Sequence, residues 1–207
     1  MQLKELKERI NEDLQKGLMP ANIILRQFCM FDESARESIV CVDSSYFPFY
    51  YHLGKYIQPE SLIEIGLGIG LVSGSFMSTC KSVKRFLGFN SPKKENSWRI
   101  GRLNVLNVNS KLQETDCRFA LGNFKNIVSE ISKKEWDLVL MNEVMDYDSY
   151  RYALDVLWDV LVLDGYMVVD KISSEEICRK CFDDFVKSKN REYVKFETLY
   201  GSGIIMK

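Results

Sequence analysis

A chain of 207 residues, 46% hydrophobic and 12% aromatic, holds enough apolar side chain to bury the core of one domain and carries no compositional sign of disorder. Its 28 Lys and Arg against 29 Asp and Glu leave no global field to recruit nucleic acid or an anionic membrane, so only a local patch stays open to such partners. No apolar run reaches transmembrane length, the first 16 residues are a charged amphipathic pattern rather than a signal peptide, and six scattered cysteines (Cys29, Cys41, Cys80, Cys117, Cys178, Cys181) lack the density of a disulfide scaffold; a cytoplasmic protein with reduced thiols is expected.

Leu3, Leu6, Ile10, Leu14 and Leu18 recur at helical spacing on an otherwise charged segment, which predicts an amphipathic helix punctuated by Gly17 and Pro20. Residues 22–31 read as a second short helix, and Asp32-Glu33-Ser34 opens a further polar segment. Residues 1–45 are therefore expected to form an N-terminal helical cap on a domain spanning 46–207. That domain opens with the most aromatic stretch of the chain, residues 46–53, read as a helix beside the central strand. Its rings suit a packed core or a wall over a ligand, the former being the commoner use. His52, the only histidine, is a candidate general base or a histidine packed in that aromatic layer, and its neighbours favour the second.

Next comes Ser61-Leu62-Ile63-Glu64-Ile65-Gly66-Leu67-Gly68-Ile69-Gly70, followed by small and apolar residues at helical spacing, which predicts strand, tight loop and helix. Alternate glycines let the backbone take positive φ and approach a ligand, while the following helix aims its free N–H groups into the same space. Glu64, at the strand's end, is placed to meet a cation. The spacing excludes the dinucleotide fingerprint G-x-G-x-x-G, because Leu71 and Ser73 stand where its last glycine is needed, and it excludes the phosphate-binding G-x-x-x-x-G-K-[ST]. The pattern Glu64-x-Gly66-x-Gly68-x-Gly70 resembles motif I of the class I S-adenosylmethionine-dependent methyltransferases; a tight turn without a ligand is the alternative. The resemblance implies a Rossmann-like α/β three-layer sandwich, with a mostly parallel seven-stranded sheet ending in an antiparallel β-hairpin. It also implies S-adenosylmethionine as cofactor, admitted by Gly66, Gly68 and Gly70, with Glu64 holding the methionine ammonium directly or through water.

Residues 83–89 predict a second strand ending at Asn90, where the family usually has an acid for the ribose hydroxyls. An amide there keeps two hydrogen-bonding arms but loses charge assistance. Residues 91–111 predict a helix that buries Trp98, Ile100, Leu103 and Leu106, with Lys93, Lys94, Arg99 and Arg102 on a solvated face rather than a nucleic-acid patch. Residues 118–124 predict the third strand and its exit, where the resemblance implies that Asn123 and Phe124 meet the adenine. Residues 136–143 predict the fourth, a buried strand of a parallel sheet.

The fourth strand resembles motif IV, with Asn142 beside the cofactor. The small-molecule O-methyltransferase branch often continues Asp-Gly-x-His-x-Tyr, whereas this chain reads Asn142-Glu143-Val144-Met145-Asp146-Tyr147. Metal-dependent members need oxygen ligands at the ends of the fourth and fifth strands, where Lys171 is a poor partner, so no magnesium site is expected. Residues 149–161 predict a helix, Leu163-Asp164-Gly165 a turn, and residues 166–170 the fifth strand; residues 173–176 predict a serine-capped helix start. Cys178 and Cys181 have C-x-x-C spacing but no second pair, which suits one face of a helix better than a zinc or redox site. Residues 193–200 and 203–207, around Gly201-Ser202-Gly203, predict the closing hairpin.

Glu143, Asp146 and Asp170 fall at strand ends facing the expected site and are the candidate bases, each with a surface or capping role as the alternative. Lys171 is a candidate to orient an anionic substrate. The resemblance implies methyl transfer to a small-molecule acceptor, and no Asn-Pro-Pro-Tyr or Asp-Pro-Pro-Tyr motif points to a nucleobase or glutamine amide. Two other readings stay open: a methyltransferase fold kept as a binding or structural module without catalysis, favoured by the asparagines at acid positions, and a dinucleotide or nucleotide-sugar site.

Overall fold

The computed structural model describes residues 1–17, 46–112 and 114–207. The helix predicted over 22–31, the polar segment after it, Leu18, Cys29 and Cys41 lie outside them. Helix α1 (Leu3–Gln15) is followed by α2 (Tyr46–Ile57), and then strands and helices alternate: β1 (Ser61–Ile65), α3 (Leu71–Thr79), β2 (Arg85–Asn90), α4 (Glu95–Leu112), β3 (Asp116–Leu121), α5 (Phe124–Ile131), β4 (Trp136–Met141), α6 (Tyr147–Val160), β5 (Leu161–Asp170), α7 (Glu176–Lys189), β6 (Tyr193–Phe196) and β7 (Ser202–Met206).

The strands form one seven-stranded sheet in the order β3-β2-β1-β4-β5-β7-β6. Strands β1 to β5 are mutually parallel, and β7 is antiparallel to both β5 and β6. This is the Rossmann-like sandwich with a closing antiparallel pair that the glycine motif implies.

Side chains alternate between two buried layers because a strand repeats every two residues. Leu62, Leu138, Leu140, Val168 and Ile204 pack with α1 to α4, while Ile63, Val139, Met141, Val169 and Ile205 pack with α5 to α7. Glu64, two residues after Leu62, therefore points toward the first layer although it is a carboxylate in the middle of the sheet. Helix α1 seats Leu3, Leu6 and Ile10 in that layer and closes on Asp13, which accepts hydrogen bonds from Lys55 Nζ at 2.7 Å and Tyr56 Oη at 2.6 Å. His52 is buried beside this group, with Nδ1 at 3.3 Å from Asp13 Oδ2, and is a packed histidine remote from the strand ends.

Three local readings are corrected. The turn at Leu163-Asp164-Gly165 lies inside β5, where Asp164 takes φ 63° and the register against β4 shifts between Trp136 and Leu138; the turn residues make a bulge, not a strand boundary. No serine caps α7: Glu175 holds the cap position without a side-chain bond, because the Ser173 and Ser174 amides are turned toward the Tyr200 carbonyl at 2.9 and 3.2 Å. Helix α6 starts at Tyr147, two residues early, because Asp146 Oδ1 accepts the Ser149 amide at 3.0 Å and caps it. Cys178 and Cys181 are buried in the second layer on one face of α7. Among the described residues no helix is long and apolar enough to cross a membrane.

Candidate ligand site at the strand ends

The carboxyl ends of β1, β2 and β4 are drawn together by backbone bonds: Gly66 and Leu67 amides to the Phe89 carbonyl at 2.9 and 3.0 Å, and the Asn142 amide to the Ile65 carbonyl at 2.8 Å. In an open parallel sheet this edge is where ligands bind. The three glycines serve there for different reasons, though all have positive φ (89°, 54° and 75°). A Cβ on Gly66 would stand 2.5 Å from the Glu143 amide nitrogen, and one on Gly70 would stand 2.5 Å from the Gly101 carbonyl oxygen on α4. Both glycines are thus close-packing positions. A Cβ on Gly68 would meet nothing nearer than 4.0 Å, so this glycine leaves open space.

That space is a cavity of about 330 Å³, bordered by the glycine loop, Glu64, Asn142 and the start of α3. Its size is within the range of small-molecule sites. Larger grooves exist, such as one of about 800 Å³ between α1 and β6, but the buried polar groups converge on the smaller cavity.

Glu64 is fully buried and accepts from the Asn142 side-chain nitrogen at 2.6 Å and from Ser73 Oγ. Burial pushes its carboxyl up to about 8, against the lowering effect of those two hydrogen bonds. Asn142 is 7% exposed, and its Oδ1 has no hydrogen-bond partner among the described residues. A buried acceptor without a donor costs free energy unless a ligand supplies one. The backbone carbonyl of Asn142 accepts from Lys171 Nζ at 3.0 Å, and Lys171, at the end of β5, takes a left-handed backbone with φ 64°.

The other predicted residues divide. Asn90 is fully buried, with Nδ2 donating to the Lys94 carbonyl at 3.2 Å and Oδ1 facing the Gly68 amide at 3.5 Å; it ties the glycine loop to the segment after β2 and does not border the cavity. Asn123 is an exposed cap of α5 that accepts the Lys125 amide at 3.0 Å. Phe124 packs edge-on against Phe89 and Tyr152 in the second layer. Neither borders the cavity.

The three candidate bases also lie outside the cavity lining and have partners of their own, although Glu143 keeps a buried Oε2 with no hydrogen-bond partner among the described residues. Glu143 is 3% exposed and pairs with Lys94 Nζ at 2.7 Å. Asp146 caps α6, and the Ser149 amide holds its carboxyl below the usual range. Asp170 is buried behind Tyr46, accepting from its hydroxyl and from Ser202 Oγ at 3.0 Å; burial pushes its carboxyl up.

Sequence reasoning missed Ser73 and misread Lys94, which sits on the cavity wall rather than on a merely solvated face. The only hint of Ser73 was its place in the first turn of the helix after the glycines. Lys94 had no local hint, since its partner lies 49 residues away. Among the described residues no three His, Cys, Asp or Glu side chains gather as a metal site.

No protein-family model and no curated protein matches the sequence. Solved structures do match in shape. One is an O-methyltransferase from Bacillus cereus in complex with S-adenosylhomocysteine (SAH), at 13% identity and TM-score 0.61 over 97% of this chain and 91% of that one. Another is TomG from Streptomyces achromogenes, an O-methyltransferase involved in tomaymycin synthesis, in complex with S-adenosylmethionine (SAM), at 10% identity and TM-score 0.63 over 98% of each chain. A third is the SAH-bound methyltransferase PaMTH1 from Podospora anserina, at 13% identity and TM-score 0.55 over 77% of this chain and 76% of that one. The protein therefore has the class I methyltransferase fold, and at these identities the likeness is one of fold.

Proposed function

We propose that the protein binds SAM at the strand-end cavity and transfers its methyl group to a small-molecule acceptor. The observation that carries this reading is the buried Glu64–Asn142 pair, whose unpartnered Oδ1 and carboxylate together suit an ammonium group, beside a glycine that keeps the space above open. The fold and the ligands of the similar structures support it. Glu64 and Asn142 hold the methionine ammonium. The first turn of α3 has no side-chain cap, so the Leu71 and Val72 amides are placed to receive the carboxylate of the same ligand, while the Ser73 amide serves Glu64. Gly66 and Gly70 fix the loop, Gly68 admits the ligand, and Asn90 acts through the loop that it braces. When bound, SAM supplies a methyl group already activated on a sulfonium sulfur, so the protein's work is alignment and exclusion of water.

Titration calorimetry with SAM and SAH tests the reading. Binding of both is expected; no heat and no thermal shift at millimolar ligand overturns it, and a shift with NAD or a sugar nucleotide instead points to a nucleotide site. The commitment of Glu143, Asp146 and Asp170 to other partners favours a second reading, ligand binding without catalysis. SAM binding with no methyl transfer to any member of a broad acceptor panel supports that one.

A further inference from the structure

The cavity has two lysines on its wall, and of its lining carboxylates one is hydrogen-bonded and the other lies at the rim; this combination bears on the acceptor. Lys94 is neutralised by Glu143, whereas Lys171 has no ion-pair partner among the described residues. Its ammonium uses one donor on the Asn142 carbonyl at 3.0 Å and retains two. A lysine held with φ 64° in a region that L side chains avoid is a constraint at the junction of β5 and the next turn, the kind that persists where the site uses it. The carboxylates bordering the same space are Glu64, bound to Ser73 and Asn142, and Glu175 at the exposed rim. Neither is placed to take a proton from a weakly acidic nucleophile deep in the cavity.

We propose that Lys171 binds the acceptor, and that the acceptor is a carboxylate on an apolar or aromatic body. Tyr46, Phe47 and Tyr200 supply the wall that such a body packs against. The inference rests on the SAM-binding reading above. A carboxylate reaches the site already ionised: its oxygen supplies the electron pair for the new bond to the methyl carbon, the carbon–sulfur pair leaves with sulfur, and no proton changes hands. The product is a neutral methyl ester, which no longer holds the Lys171 charge and is free to leave. Such a step asks for no base on the cavity wall.

The test is calorimetry on the SAH-loaded protein with benzoate and its neutral isostere benzamide, and with phenylacetate and phenylacetamide. Each acid is expected to bind at least about tenfold more tightly than its amide, as one charge-assisted contact provides. Lys171→Met is expected to remove that preference and Lys171→Arg to keep most of it, with SAH affinity within about twofold in both. Equal affinity for acid and amide in the wild-type protein overturns the assignment without recourse to any variant. A Lys171→Met protein that loses SAH as strongly as benzoate also overturns it, because Lys171 then serves the cofactor. Failure of the wild-type protein to bind SAH overturns the underlying reading, and the acceptor assignment with it.

Discussion

The Asn142 side-chain nitrogen donates to Glu64 Oε1 at 2.6 Å, joining the end of β4 to the buried face of β1. With its carboxyl pushed up to about 8, Glu64 keeps a proton at neutral pH and must lose it to meet an ammonium. SAM affinity is therefore expected to rise with pH toward about 8, changing by close to tenfold per pH unit well below it, and to fall again where the ligand's own ammonium loses its proton. Glu64→Gln should flatten this profile and weaken binding by roughly tenfold or more. Calorimetry between about pH 6 and 9 reads both effects.

The same group has the opposite effect on the ligand-free protein. Its folded value lies above the ordinary 4.5, so the native state binds more protons than the unfolded one between there and about 8. Stability should fall as pH rises through this window and stay low above it. Urea denaturation of Glu64→Gln should show a smaller fall, leaving the variant the more stable protein at the alkaline end.

Gly68 and Gly70 share a left-handed backbone but not an environment. Gly70→Ala drives a methyl group into the Gly101 carbonyl and should cost roughly 3 kcal/mol or more, read by urea denaturation. Gly68→Ala has space and should cost only about 1–2 kcal/mol of backbone strain. Its larger effect should be on SAM affinity, since the methyl group enters the cavity.

Asp13 holds α1 to α2 through Lys55 and Tyr56, whose hydrogen bonds keep its carboxyl well below the usual range. A lowered carboxyl stabilises the fold above its ordinary value of 3.8, and that contribution is lost as pH falls below it. Asp13→Ala should therefore cost about 2 kcal/mol at neutral pH, with the difference from wild type shrinking in acid. Denaturation curves at several pH values check it.

Asp170 acts here as a structural carboxylate. Tyr46→Phe removes one of its two side-chain donors and should cost about 1–3 kcal/mol. With burial already pushing Asp170 up and one opposing bond gone, the loss should be smallest in acid and grow as pH rises.

Strands and helices were legible in the residue order because they follow local periodicity, and the resemblance carried by the glycine motif supplied the sheet they build. The run from Ser61 to Gly70 specified strand, loop and helix, and the alternation after it specified a parallel sheet closed by the β6–β7 pair. The sequence also singled out Glu64 and the glycine loop, and Glu64, Gly66 and Gly68 border the cavity. What it could not supply was the neighbourhood of each side chain at a strand end. Asn90 faces the Gly68 amide, Glu143 faces Lys94, and Asp170 hides behind Tyr46, 124 residues away in the chain. These pairings are long-range, and a carboxylate's proton affinity depends on burial and partners that residue order does not encode. Only the tertiary structure could decide which acids stay available to a ligand. It set Glu143, Asp146 and Asp170 outside the cavity lining, each with a partner of its own, and placed Glu64, Asn142 and Lys171 around the cavity.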